Sequence, residues 1–176
     1  MGLTTRLGIN LTLEEIGTFN NTARQSTPNF LVSDIFDNGI ASGECDLAWW
    51  DKERELTANT IELLDLSGGL VDVFCKTLLF ARVKVLFIQN LNETPGDILK
   101  IGGSTIVGTE PEAAFLLFDD LTDRYSIGPK GKFVIDEMNA TGRPVNSGTS
   151  SSDTLKIENV SANKIKYNIA IAGSSV

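Results

Sequence analysis

The sequence predicts an all-β fold: an antiparallel β-sandwich, jelly-roll-like in its winding, carrying an irregular N-terminal segment. Three observations predict it. About eight short apolar stretches recur at spacings near 8–12 residues. Gly- and Pro-bearing turns separate them. No stretch sustains a 3.6-residue apolar period, and the strand–helix–strand rhythm of a parallel sheet is missing. The expected organisation is an arm or packing segment over residues 1–43 and one sandwich domain over 44–176.

In chain order, residues 1–43 are rich in Thr, Asn, Ser and Gly, with scattered apolar residues and no long strand. Thr12-Leu13-Glu14-Glu15 has a weak capping-box pattern and predicts a short helical turn. The first sandwich strand runs from Cys45 to Trp50. The adjacent Trp49 and Trp50 must point to opposite faces of a strand, one to the core and one outward. Asp51 to Glu55 alternates in sign and reads as a solvated strand or loop. Ile61 to Leu66 gives a strand closed by Ser67-Gly68-Gly69, and Val71 to Leu79 a second helical turn. Val83 to Asn90 is the strongest β former and ends in the polar loop Asn92 to Asp97. Ile98 to Ile101 is stopped by Gly102-Gly103, and Phe115 to Phe118 is a further apolar run. Gly128-Pro129-Lys130-Gly131 is a turn that opens the strand Lys132 to Asp136. Gly142 to Asp153 is a polar loop, expected to be exposed. Thr154 to Val160 and Ile165 to Ala172 alternate apolar with polar or small residues. Ser161 to Lys164 has turn character, so the two strands are expected to pair as a hairpin.

Composition narrows the function. The chain has 176 residues, enough for one ordinary domain with its own core. Its formal net charge is −8, which repels phosphate backbones and anionic lipid; neither nucleic acid nor membrane is an expected partner. A basic patch on another protein suits it better. Cys45 and Cys75 have no metal-like spacing and read as small buried hydrophobes in a reducing compartment. The first residues lack the basic start and apolar stretch of a signal peptide. No apolar run approaches the ~20 residues of a membrane helix.

No catalytic or cofactor site is expected. The chain has no histidine, so Ser-His-Asp and Cys-His pairs and His-based zinc sites are ruled out. There is no phosphate-binding glycine motif. Asp119, Asp120 and Asp123 cluster, but without the order of an EF-hand loop they read as a solvated acidic loop. Enzyme, cofactor and metal are therefore all expected to be absent.

Five segments, taken in order, carry a resemblance. They are Asp46-Leu47-Ala48-Trp49-Trp50-Asp51; Leu63 to Leu70 with Phe74; Phe80 to Ile88; Ile127 to Phe133; and Leu155 to Asn159 leading to Tyr167 to Gly173. Together they resemble a group of small virion structural proteins of tailed bacteriophages, over roughly residues 45–174. One position that often holds Gly in that pattern is Cys75 here, and residues 1–43 lie outside it. The resemblance implies a β-sandwich on the virus particle, assembled in the host cytoplasm: a capsid decoration (cement) protein at the capsid surface that binds the major capsid protein and itself. Candidate partner anchors are Phe30, Leu31, Ile35, Phe36 and Trp50. A tail, vertex or fibre-base protein and a carbohydrate-binding module are the alternatives.

Overall fold

The computed structural model describes residues 3–12, 15–19, 22–26, 29–103, 115, 117–118, 123–146 and 153–176. Among them there are strands and no helix, so the fold is all-β. Strand β1 (Thr5–Thr12) pairs antiparallel with β4 (Asn29–Phe36), and β2 (Glu15–Phe19) with β3 (Thr22–Ser26). These four strands form an arm that, among the described residues, shares no ladder with the other strands.

The body is two antiparallel sheets. The first runs β5 (Leu47–Leu56) beside β15 (Ile165–Ser174), then β9 (Arg82–Asn90), then β12 (Lys132–Asp136). The short β13 (Arg143–Pro144) also pairs with β9. The second runs β6 (Ile61–Asp65), β14 (Thr154–Asn159), β10 (Leu99–Gly102), β11 (Arg124–Ile127). A small hairpin of β7 (Ser67–Val71) and β8 (Thr77–Leu79) joins β6 to β9. The chain changes sheet between β5 and β6, from β6 to β9 by way of that hairpin, and between β9 and β10, β11 and β12, β13 and β14, and β14 and β15.

One core lies between the sheets. Leu86 and Ile88 of β9 and Ile165, Tyr167, Ile169 and Ile171 of β15 meet Leu99 and Ile101 of β10 and Leu155 and Ile157 of β14. They sit at alternate positions because successive side chains on a strand face opposite sides. Truncating one of these buried Ile or Leu side chains to Ala costs about 2–5 kcal/mol.

Several expectations are corrected. Residues 154–172 do not form a hairpin: β14 pairs with β10 and β6, β15 with β9 and β5. The polar residues between them turn a corner from one sheet to the other. Asn159 explains how. Its side-chain amide donates to the carbonyls of Leu56, Thr57 and Asn163, and its Oδ1 accepts from Ser161 N and Oγ. Asn163 in turn donates to Asp97 Oδ1, and Asn92 to Asp97 Oδ2. Those two amides hold the Asp97 carboxyl below its ordinary range. Three sheet-crossing connections are thus tied by one buried polar network.

The 1–43 segment is not irregular throughout: four strands lie within residues 5–36, and the loop after Phe36 has none. Leu7, Ile9 and Leu11 stand at alternate positions of β1, a period-2 pattern obscured by the weak β formers Gly8 and Asn10 between them. The helical turn expected over Val71 to Leu79 does not form, since both residues belong to the hairpin; of the one expected at Thr12 to Glu15, Thr12 ends β1, Glu15 opens β2, and Leu13 and Glu14 lie outside the described residues. Gly68 and Gly69 lie within β7, at the irregularity of that hairpin, and do not end a strand. Phe115 and Leu117 are buried in the core but belong to no strand. Lys156, expected on the solvent side, is 6% exposed, with Nζ 3.7 Å from Glu158.

Candidate protein-binding surface

The outer face of the first sheet is apolar where the arm meets it. Register lines up Ala48, Ala172 and Val85 in one row across β5, β15 and β9. The next row is Trp50, Ala170, Phe87 and Val134. Phe36 and Cys45 pack on Val85 and Ala172 as a second, smaller core, with Leu3 and Ala48 against it. Trp49 faces the other way and packs on the main core, 5.8 Å from the Arg54 guanidinium carbon. Alternation along β5 therefore leaves Trp50 outward and 50% exposed.

Trp50 is a ridge between two clefts. One, of about 330 Å³, lies between this outer face and Thr4 to Leu7 of the arm; Phe87 and Ala170 form part of its floor. The other, of about 350 Å³, is walled on the far side by Val73, Phe74 and Lys76 of the β7–β8 turn. That turn is rigidly built. Asp72 Oδ1 accepts from the N–H groups of Phe74 and Lys76, and Asp72 N donates to the Lys76 carbonyl. Cys75 takes a left-handed backbone conformation within it (φ 62°). The result is a short finger on which Phe74 is 73% and Val73 65% exposed. A cluster of this kind, with Val71 and Leu79 also exposed beside it, is unusual on a surface that faces only water.

The arm is anchored by the loop that follows β4. Lys84 is the extra residue where the β9–β15 register shifts, and its side chain is fully buried. Its Nζ donates to the carbonyls of Ile40, Ala41 and Glu44, at 3.3, 2.6 and 2.7 Å. Asp136 on β12 lies beside Asp34 of β4. Burial, and then the neighbouring Asp34 carboxyl, push the Asp136 carboxyl up to about 6. Its Oδ1 is buried without a hydrogen-bond partner.

The five sequence-predicted anchors separate. Trp50, Leu31 (70% exposed) and Ile35 (46%) are open to a partner. Leu31 and Ile35 lie on the arm, on the ribbon side shared with Arg6 and Asn10. Phe36 is fully buried against Cys45, Val85 and Ala172; it anchors the arm to its own body and is closed to a partner. Phe30 is placed in β4, but its side chain lies outside the described residues. Sequence reasoning missed Phe74, Val73 and Phe87. Val71-Asp72-Val73-Phe74 reads as helical only if the β-branched residues and the turn-forming Asp are given no weight.

Chemical groups elsewhere are structural. Burial raises the Cys45 thiol to about 11, which leaves it unreactive; Lys84 only partly offsets this. Cys75, expected to be buried, is exposed. Asp119 and Asp120 lie outside the described residues, and Asp123 is exposed. Among the described residues, no three acidic or Cys side chains gather as a metal site would need. No helix of the described residues is long and apolar enough to cross a membrane. Comparison with protein-family models, with curated proteins and with solved structures finds no match.

Proposed function

We propose that this chain is a structural protein of a tailed-bacteriophage virion: a capsid decoration protein that binds the major capsid protein and itself, and acts by docking without catalysis. The observation that carries the reading is the pair of clefts around Trp50, with the Phe74 finger held out beside them. Aromatic side chains presented on a rigid scaffold are the usual anchors of protein interfaces. The resemblance over roughly residues 45–174 supplies the class of partner. Stabilisation of the shell follows from mass action, because a ligand that binds only the assembled particle lowers its free energy.

The test is to add the purified chain to particles stripped of it, then locate it by electron microscopy and measure survival on heating. Regular binding over the shell with slower heat inactivation supports the reading. Trp50→Ala and Phe74→Ala are each expected to weaken that binding about tenfold or more. Binding only at tail or vertex favours a tail or fibre-base protein. Binding to a sugar array and not to particles, lost in Trp50→Ala, favours a carbohydrate module.

A further inference from the structure

We propose that the β1–β4 ribbon is an exchange arm: its apolar side on one copy seats on the Trp50–Ala170–Phe87 floor of a second copy of this chain. The proposal deepens the self-association in the reading above, and it requires no capsid.

The fit is already present within one molecule. Phe36 at the end of β4 and Leu3 just before β1 pack on Ala48, Val85 and Ala172, the first row of the outer face. Thr5 and Leu7 follow on the same side of the ribbon and wall the cleft over the second row. Beyond them the match runs out. Ile9, next in alternation, is 40% exposed, and the register continues with apolar types, Val32 opposite Ile9 and Phe30 opposite Leu11. At Ile9 the arm therefore carries an apolar position that its own body leaves partly open. The body, for its part, leaves Trp50 half exposed at the mouth of a cleft the arm does not fill. One chain holds both halves of one contact, and a second copy satisfies both.

Two further arguments select a second copy. An isolated two-stranded ribbon is marginally stable in water and gains from a surface to lie on. Charge also selects contact through the arm. Residues 1–36 hold two arginines against three carboxylates, so nearly all of the net charge of −8 sits on the body. Two bodies face to face repel. The eight residues of β1 span about 26 Å at ~3.3 Å each, several times the ~8 Å screening length at physiological salt. An almost neutral arm of that reach joins two acidic bodies while keeping them apart.

The full chain alone tests this, so its failure and that of the capsid reading are distinguishable. Sedimentation velocity from about 1 to about 100 μM is expected to show reversible association. Ile9→Asp and Trp50→Asp are each expected to weaken it at least tenfold, with the sandwich's melting temperature unchanged. Mixing the two variants should restore association in part, because each retains the half the other lacks. In a Cys75→Ser background, Ile9→Cys mixed with Trp50→Cys should give a heterodimer linked by a disulfide when a mild oxidant such as diamide accepts the two electrons. A chain that stays monomeric throughout, association that survives either Asp substitution, or no mixed disulfide overturns the proposal.

Discussion

At the scale of single residues, the half-buried Asp136 and the buried Asn159 have opposite effects on stability. Asp136 is strained. Its carboxyl titrates at about 6, above the ordinary 3.8, so the folded chain holds a proton that the unfolded chain has already lost. That contribution is complete below pH 4, decays as pH rises through about 6, and is absent at pH 7. Asp136→Asn should therefore raise stability at pH 7 by about 1 kcal/mol, discounted for partial solvent screening, and the gain should vanish near pH 4. Thermal unfolding of both proteins across that range measures it. Asn159 is the opposite case, with every polar atom satisfied. Asn159→Ala strands several buried groups and should cost about 2–3 kcal/mol, read as the midpoint of urea unfolding. Neither role was legible in the sequence. Asp136 looks like the end of an ordinary strand, and its neighbour Asp34 is a hundred residues away in an arm whose path no local pattern reveals.

At the scale of elements, the strands were largely legible and their partners were not. Lys132–Asp136 was located to the residue, and β9, β14 and β15 to within a residue or two, because β-branched residues and alternation are local signals. Pairing is not local. Ser161 to Lys164 has the composition of a hairpin turn, but the buried Asn159 network uses it as a corner. The Trp49–Trp50 alternation did find half of the candidate surface, since opposite faces follow from strand geometry alone. The Phe74 finger was missed because its hairpin is irregular in register. Among the glycines of the described residues, Gly173 leaves the least room for a side chain, where β15 shifts register against β9. A Cβ there would lie 1.9 Å from the Arg82 carbonyl oxygen. Backbone cannot yield as a side chain can, so Gly173→Ala should destabilise the chain by at least about 3 kcal/mol and lower its melting temperature by about 6–12 °C.

At the scale of the whole molecule, stability is unevenly shared between body and arm. β9 and β15 each have a paired strand on both sides and give the core Val83, Leu86, Ile88, Ile165, Tyr167, Ile169 and Ile171. Among the described residues, β1 and β4 pair only with each other. Native-state hydrogen exchange should therefore protect Leu86, Ile88, Ile169 and Ile171 up to the global unfolding energy, while the amides of Thr5–Thr12 exchange by local opening orders of magnitude faster. Equal protection in both would contradict this division. The winding of the body also dictates the order in which the fold can be completed. β15 follows every other strand in the chain and yet lies inside its sheet, between β5 and β9. Until it is made, β5 has no partner on that side, and it waits on the order of a hundred residues for one. During synthesis the first sheet therefore stands open at its middle, with the apolar inner positions of β5 and β9 uncovered until β15 arrives.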